Sequence, residues 1–172
     1  MINLFTDGAC SPNPGCGGWA ACFYFCNESC EVYGYDLNTT NNVMEITAAI
    51  RGLQKIAEIC PNEQNISIYS DSQYVINTMT KNWKRNTNIP LWNQLDILIK
   101  GKNINWIWVK GHADNVYNNI VDSLAVEARI NKKSGFYISY NTPSDTTKLV
   151  NNTKSVSKTL DIDTTFTYNI FK

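Results

Sequence analysis

The stretch EITAAIRGLQKIAEICPNEQNISIYSD, residues 45–71, holds an amphipathic run followed by a short apolar run. From Glu45 to Cys60 the apolar residues recur every three or four positions, as on the buried face of a helix, and Pro61 ends the pattern. Ile66 to Ser70 has the length and composition of a buried strand. The stretch therefore predicts a helix that leads into a strand of a sheet.

The residues before this stretch predict three more strands. Ile2–Thr6, Trp19–Cys26 and Glu31–Leu37 are strand-like, and the residues between the last two runs have turn composition. These three runs predict an antiparallel meander. Residues 8–18 hold four glycines and two prolines, which predicts a turn-rich connection after the first strand.

The residues after this stretch alternate between helix and strand. A second helix is predicted from about Ser72, a short helix over Pro90–Ile99, a strand from Ile104 and a last helix from about Tyr117 to Ile130. Strand–helix–strand units favour parallel pairing. We therefore predict an α/β fold: a five-stranded mixed sheet, with three antiparallel strands followed by parallel strands, and helices on both faces.

The composition changes after about Lys133. The chain has 172 residues, 43% of them hydrophobic, which suits one globular domain with a tail. We predict a domain over residues 1–133 and a polar, flexible extension over 134–172, because that part is rich in Thr, Asn, Ser and Lys. Its end, FTYNIF at 166–171, is either a strand or plug on the chain's own domain or a peptide that binds a protein partner.

Charge and hydropathy exclude some classes of protein. No run approaches eighteen consecutive apolar residues, so we expect no membrane span. The N-terminus lacks the pattern of a secretory signal, which predicts an intracellular, cytoplasmic protein, with a nuclear location left open. The formal net charge is zero, which neither favours nor excludes a nucleic-acid partner. We expect a monomer.

The six cysteines are predicted to be reduced thiols, since the chain shows no secretory signal. Cys26 and Cys30 have the spacing of half a zinc site, but no second pair of matching spacing follows. Cys22 and Cys26 alternate with Tyr24 along a predicted strand, which favours two small buried residues on one face.

Four acidic residues are predicted at the ends of elements. One ends the first strand, one opens the long helix, one ends the strand ISIYSD and one lies in the first turns of the last helix: Asp7, Glu45, Asp71 and Asp122. Each alone has a simple explanation as a turn residue, a helix cap or a favourable charge at a helix start. Strand ends in one sheet meet at a common edge, however, and so the four carboxylates are predicted to lie together.

Carboxylates packed together repel one another, and a hard divalent cation such as Mg²⁺ removes that repulsion. Two such ions about 3.5–4 Å apart can activate a water and stabilise the leaving oxygen of a phosphodiester. His112, the only histidine, follows the last predicted strand in a glycine-containing loop. It is either structural or a proton shuttle beside the carboxylates.

Five segments resemble ribonuclease H of the type 1 family, in order and in spacing. They are FTDGACSPNPGCGGWA (5–20), TTNNVMEITAAI (39–50), YSDSQYV (69–75), WVKGHA (108–113) and NNIVDSLA (118–125). The resemblance implies a ribonuclease H-like fold and hydrolysis of the RNA strand of RNA–DNA hybrids with two Mg²⁺ ions, or Mn²⁺ as a substitute. It also implies that Asp7, Glu45, Asp71 and Asp122 bind metal and that His112 helps the product to leave.

The resemblance further implies the residues that contact the hybrid. Short amides suit the 2′-hydroxyls that distinguish RNA from DNA. The positions implied to touch the minor groove and the RNA sugars are Cys10, Asn13, Asn41, Asn42, Met44 and Gln73. Thr40 and Asn82 match a phosphate pocket for the DNA strand, Trp83 is expected to pack on a deoxyribose, and the segment 81–85 (KNWKR) offers counter-charge to phosphates.

The chain departs from the family pattern at two places. Only a few residues separate Trp83 from Trp92, where many members carry a long basic protrusion, and we therefore expect weak, salt-sensitive binding. Asn119 stands where many members have Glu, and Asp114 where glycine is common. Two alternatives stay open: a non-catalytic or weakly active module that binds hybrids or double-stranded RNA, and a nuclease module that acts with a reverse transcriptase.

Overall fold

The computed structural model describes residues 1–111 and 115–140. The helices and strands follow one another along the chain as β1 (Ile2–Cys10), β2 (Gly15–Phe25), β3 (Glu28–Thr39), α1 (Asn41–Ile59), β4 (Asn65–Ser70), α2 (Gln73–Thr80), α3 (Ile89–Ile99), β5 (Asn103–Trp108), α4 (Val116–Asn131) and β6 (Gly135–Tyr140). Every helix and strand that the sequence predicts is present, and the described residues add one strand, β6, to them.

The strands form one mixed sheet in the order β5-β4-β1-β2-β3-β6. The pairs β1–β2, β2–β3 and β3–β6 are antiparallel, whereas β1–β4 and β4–β5 are parallel. The predicted meander and the predicted parallel pairs are therefore confirmed. The parallel register places Phe5 beside Tyr69, and so the residues that follow each of them along the two strands are also neighbours.

The predicted count of five strands is wrong, because the sheet has six. The sixth strand, β6, pairs with the edge of β3, and its Phe136 and Ile138 pack against the main core. The hydroxyls of Ser29 and Ser139 lie 2.5 Å apart across this pair. The extension predicted from residue 134 thus begins with an ordered strand; its remainder, residues 141–172 with the segment 166–171, lies outside the described residues.

Helices cover both faces of the sheet, as predicted. Leu4 and Phe23 point toward α1 and belong to the larger core, which also contains Ile46 and Ile50. The neighbouring residue Phe5 points to the other face, where a smaller core includes Ala20, Cys22, Val121 and Ala125 of β2 and α4. This alternation along β1 is what a strand covered on both faces requires.

The hairpin between β1 and β2 is tighter than the glycines and prolines predict. Residues 8–10 are already paired with residues 17–19, and only residues 11–14 form the turn. Asp7 therefore lies inside β1, paired with Ala20, and not at a strand end. The glycines of β2 serve packing here: a Cβ at Gly18 would lie 2.1 Å from the carbonyl oxygen of Ala125, so that α4 rests directly on the backbone of β2.

Helix α1 begins four residues before the predicted start. Thr40 is its N-cap, with a side chain that accepts a hydrogen bond from the Val43 amide, and Glu45 consequently lies in the second turn. The helix ends at Ile59, just before Pro61, as predicted. Of the apolar residues in the predicted helical run, Ala57 is exposed and not part of the core.

Each of the six cysteines is a free thiol, in keeping with the prediction. Burial raises the pKa of Cys22 to about 11 and that of Cys30 to about 12, so both stay protonated near neutral pH. Cys26 was expected to be buried beside Cys22, but it lies exposed in the turn between β2 and β3, with a positive φ of 52°. None of the described helices combines the length and the apolar character needed to cross a membrane.

Candidate active site

Three carboxylates from three separate elements meet beside the centre of the sheet. Asp7 comes from β1, Glu45 from α1 and Asp71 from the residue after β4, and one oxygen of each lies within 4.8 Å of the others. The strand register brings Asp7 and Asp71 together, since each lies two residues beyond the paired Phe5 and Tyr69. Asp7 and Glu45 are only 5% and 6% exposed, which is rare for acids that lack a charge partner.

Gly8 sets the distance between β1 and α1 at this point. A Cβ on Gly8 would lie 2.4 Å from the backbone nitrogen of Glu45 and 2.6 Å from the carbonyl carbon of Met44. Only glycine therefore allows α1 to pass so close that Glu45 reaches Asp7. The amide of Gly8 also donates a hydrogen bond of 2.8 Å to Asp7 Oδ1, which orients that carboxylate.

Burial and mutual repulsion perturb the pKa values of this cluster. Desolvation, followed by the charges of Asp71 and Asp122, raises the pKa of Asp7 to about 8. Desolvation and the charges of Asp7 and Asp71 raise the pKa of Glu45 well above its ordinary value. The protein thus holds acids where their ionised forms are costly unless a cation is present.

The donor set fits a hard divalent cation. Glu45 Oε1 accepts a hydrogen bond of 3.4 Å from Asn41 Nδ2, whereas Glu45 Oε2 is buried and has no hydrogen-bond partner among the described residues. A buried oxygen without a donor is expensive, and a metal ion removes that cost. Carboxylate oxygens are also the ligands that Mg²⁺ and Mn²⁺ prefer.

Asp122 joins the cluster from α4. It lies half-buried in the second turn of that helix and interacts with Asp7 through both charge and a side-chain hydrogen bond. The N-cap of α4 is Asn115, whose side chain accepts hydrogen bonds from the amides of Tyr117 and Asn118 and so fixes where the helix begins. All four carboxylates predicted from the sequence are therefore close together, whereas His112 and Asp114 lie outside the described residues.

The residues predicted to contact RNA sugars surround the hairpin turn and the start of α1. Asn13 Oδ1 accepts a hydrogen bond of 3.1 Å from the amide of Asn41, which ties the turn to the helix. Asn42 is exposed on the first turn of α1, and Gln73 is exposed on the first turn of α2. The thiol of Cys10 donates to the carbonyl of Pro12, 3.2 Å away, and thereby folds the turn back on β1.

Met44 differs from this group because its side chain is buried. It is 2% exposed and packs against β2, where a Cβ on Gly17 would meet Met44 Cγ at 2.7 Å. The Met44 side chain therefore supports the hairpin from below, and the predicted substrate contact at this position stays a prediction. The amphipathic face of α1 accounts for this, since residue 44 shares a face with the buried residues that follow it.

The residues predicted to hold the DNA strand lie at the N-cap of α1 and in the loop after α2. Thr40 is the N-cap of α1, and Asn82 has a positive φ of 52°. Trp83 is 48% exposed, as a residue that packs on a sugar would be. In the basic segment 81–85, Arg85 is bound by both carboxylate oxygens of Asp96, whereas Lys81 and Lys84 are exposed to solvent.

Sequence reasoning missed the residues that support the acids. Gly8 and Gly111 give the backbone room beside Glu45 and Asp71, and Trp108 donates a ring hydrogen bond to Asp71. The glycine directly after Asp7, in TDG, is a signal that could have identified Gly8, whereas Gly111 adjoins no acid in the sequence. Nothing in the sequence marks the ring of Trp108 as a partner of Asp71.

The described fold and site match known proteins. The family described as RNase H matches residues 1–130. A Ribonuclease H of Thermoanaerobacter sp. (strain X514) is 43% identical over 141 residues, which cover 74% of this chain and 88% of that protein. A Ribonuclease H of Rickettsia massiliae (strain Mtu5) is 44% identical over 141 residues, covering 74% of this chain and 90% of that protein.

Two solved structures share the fold. LC9-RNase H1, a type 1 RNase H with the type 2 active-site motif, superimposes with a TM-score of 0.70 at 22% identity, over 80% of this chain and 77% of that one. LC11-RNase H1, solved in complex with an RNA/DNA hybrid, superimposes with a TM-score of 0.65 at 21% identity, over 76% of this chain and 98% of that one.

Proposed function

The chain belongs to the ribonuclease H family, and we propose that it cuts its substrate with two divalent metal ions held by its four clustered carboxylates. As a ribonuclease H it is a nuclease that hydrolyses the RNA strand of RNA–DNA hybrids. The family and the fold that the sequence predicts are thus confirmed. The observation that carries the metal proposal is the meeting of Asp7, Glu45 and Asp71, with a buried Glu45 oxygen that has no described donor.

Mg²⁺ is the proposed ion and Mn²⁺ its substitute. When bound, a pair of such ions supplies Lewis acidity, which lowers the pKa of a water and offsets charge on a phosphodiester. Asp7 is the proposed shared ligand, because its carboxylate interacts with both Asp71 and Asp122 and contributes to the raised pKa of Glu45. Glu45 and Asp71 are the proposed ligands on one side, and Asp122 on the other.

The protein's own groups prepare the site before any ion enters. The Gly8 amide orients Asp7, and the Asn41 amide group orients Glu45. The core beneath Asp7 and Glu45 keeps water away from them, which strengthens their attraction for a cation. His112 is proposed to carry protons at the edge of the cluster and to help the cut strand leave.

The proposed hybrid contacts lie next to the carboxylates. Asn13 and Asn41 are linked by a hydrogen bond, and Asn41 in turn contacts Glu45, so this pair connects sugar recognition to the metal site. Cys10, Asn42 and Gln73 complete the proposed RNA side. Thr40, Asn82 and Trp83 form the proposed DNA side.

A cleavage assay with a labelled RNA–DNA hybrid tests the proposal. We expect RNA cleavage with Mg²⁺ and with Mn²⁺, none with EDTA, and a loss of at least about a hundredfold in kcat for Asp71→Asn, as expected when a metal ligand is removed. Asp36→Asn is the matched control: Asp36 is an exposed acid whose described contact is the Asn38 amide. Cleavage that Asp71→Asn leaves unchanged would contradict the proposed site.

A further inference from the structure

The last residue of β5 and the residues that follow it lie beside Asp71. The amide of Val109 donates a hydrogen bond of 3.0 Å to the carbonyl of Ser70, which extends the pairing of β4 and β5 past the last strand residue. The indole nitrogen of Trp108 then donates a hydrogen bond of 3.1 Å to the carbonyl oxygen of Asp71. The backbone of Asp71 is therefore held by a side chain of the neighbouring strand.

Gly111 lies against the carboxylate of Asp71, at the opposite end of that residue from the carbonyl that Trp108 contacts. A Cβ on Gly111 would lie 2.4 Å from Asp71 Oδ2 and 3.3 Å from Asp71 Cγ. The carboxylate thus rests on the bare backbone of Gly111, and any side chain at this position would displace it. Gly111 does not have a positive φ, so glycine is needed here for space and not for backbone conformation.

Asp71 is less enclosed by the fold than its two acidic neighbours. Asp7 and Glu45 are buried, whereas Asp71 is half-buried and follows the end of its strand. It also lies against two other acids, which repel it. The hydroxyl of Ser70 and the N-cap Ser72 fix the backbone that follows, since Ser70 Oγ accepts a hydrogen bond from the Ser72 amide at 3.1 Å.

We infer that Trp108 and Gly111 are positioning residues, which hold the backbone and the carboxylate of Asp71 in the geometry for metal binding. This inference rests on the proposed metal site. Core packing does not account for Trp108, because 48% of its surface is exposed. Trp106, two residues earlier on the same strand, packs against the main core and has no described contact with Asp71. The two tryptophans therefore have different roles.

Calorimetric titration of the protein with Mn²⁺, without substrate, tests the inference. Trp108→Phe keeps a ring and removes its hydrogen-bond donor, so we expect Mn²⁺ to bind about two- to tenfold more weakly, the factor that one hydrogen bond is worth. Higher Mn²⁺ concentrations should then restore the kcat of Trp108→Phe. Trp106→Phe is the matched control, and its affinity for Mn²⁺ should stay that of the original chain.

Gly111→Ala provides a second variant, with circular dichroism to confirm that it folds. We expect a larger loss of Mn²⁺ affinity than for Trp108→Phe, because the added methyl pushes the carboxylate itself. Hybrid affinity in EDTA should be unchanged in both variants. Unchanged Mn²⁺ affinity in folded Trp108→Phe and Gly111→Ala would overturn the inference while leaving the proposed function intact.

Two other results would also overturn it. If Trp108→Phe weakens hybrid binding in EDTA and not Mn²⁺ binding, the ring contacts the substrate and does not position Asp71. If the original chain itself binds no Mn²⁺, the proposed metal site fails and the positioning role fails with it. These outcomes separate the failure of the inference from the failure of the proposed function.

Discussion

At the scale of one residue, the burial of Asp7 is unfavourable for the folded protein, whereas its carboxylate is a proposed metal ligand. It lies within a strand, almost fully buried, next to three other acids. A buried carboxylate among like charges favours its protonated form, and here the pKa reaches about 8. Asp7 is therefore expected to destabilise the metal-free protein, and the proposed cation would remove that cost.

The stability of the metal-free protein should fall as the pH rises from about 4 to about 8. In this range unfolded Asp7, with its ordinary pKa of 3.8, has lost the proton that folded Asp7 still holds. Unfolding therefore releases the proton of Asp7, and this residue alone lowers the free energy of unfolding by at most about 1.4 kcal/mol for each pH unit. Glu45, whose pKa is also raised, adds a contribution of the same sign. Thermal unfolding in EDTA at pH 5, 6.5 and 8 measures this slope.

Asp7→Asn removes one of the titrating groups and should reduce the slope, leaving the part that comes from Glu45. The variant should be more stable than the original chain at pH 8 in EDTA, and Mg²⁺ should stabilise only the original chain. Asp36→Asn, the exposed control, should keep the original slope. Parallel pH curves for Asp7→Asn and the original chain would contradict this explanation.

The four acids were predictable because their motifs surround them in the sequence, and their proximity followed from the predicted sheet. The partners of those acids were not predictable. The hydrogen bond from Trp108 to Asp71 depends on the register of β4 and β5, in which Ser70 pairs with Trp108. A sequence pattern predicts that two strands are neighbours, but it does not fix which side chain passes beside which carbonyl.

At the scale of elements, the positive side chains of the loop between α2 and α3 differ in their surroundings. Arg85 binds Asp96 of α3, with Nη2 to Oδ1 at 3.1 Å, and its guanidinium lies over the ring of Trp92 at 5.3 Å. Trp92 is fully buried at the start of α3. Arg85 thus fastens the loop to α3, while Lys84 is exposed to solvent.

Substitutions in this loop should separate stability from hybrid binding. Arg85→Ala removes a partly exposed ion pair and a ring contact, so we expect a loss of about 0.5–2 kcal/mol in the free energy of unfolding. Lys84→Ala should leave stability unchanged and lower the slope of log affinity against log salt by about one, because one phosphate contact is lost.

Chemical denaturation measures the first effect, and fluorescence anisotropy with a labelled hybrid in EDTA, at several salt concentrations, measures the second. An unchanged salt slope for Lys84→Ala, together with a reduced slope for Arg85→Ala, would reverse the assignment of the two residues.

The order of helices and strands could be predicted because each element has a clear period. The ends of β1 and β2 could not, since glycine and proline favour turns in isolation. In the folded chain, Gly17 and Gly18 extend β2 because the side chains of Thr39 and Met44 and the backbone of α4 occupy the space that a Cβ would need. Tertiary contacts thus overrode the local preference.

At the scale of the whole molecule, β6 closes one side of the sheet. It pairs with β3 along its whole length, and Lys55 of α1 lies over the ring of Phe136 at 4.4 Å. The sequence did not predict this strand because its six residues adjoin a polar region, and a short edge strand has little alternation to reveal it. Its pairing with a distant strand is a property of the complete fold.

Two truncations test the role of β6 and the predicted domain boundary. A chain of residues 1–140 should retain the stability and the cleavage rate of the full chain. A chain of residues 1–133, which ends at the predicted boundary, should lose about 2–4 kcal/mol in the free energy of unfolding, because Phe136 and Ile138 no longer cover the core. It should also aggregate more readily, since the edge of β3 is exposed.

Urea denaturation and light scattering of the two purified chains measure these effects. Equal stability of residues 1–133 and 1–140 would support the predicted boundary at residue 133. A loss of cleavage in residues 1–140 would instead place part of the active machinery in residues 141–172.

The carboxylates are spread along most of the chain, and this has a consequence for protein synthesis. A ribosome delivers Asp7 and Glu45 early, Asp71 later and Asp122 near the end of the family match at residue 130. The pairing of β3 with β6 at the edge of the sheet brings Ser29 beside Ser139, which follows it by 110 residues in the sequence. The cluster is therefore incomplete on every nascent chain that stops short of α4. If all four carboxylates are needed for cleavage, as proposed, an unfinished copy of the chain should have no nuclease activity.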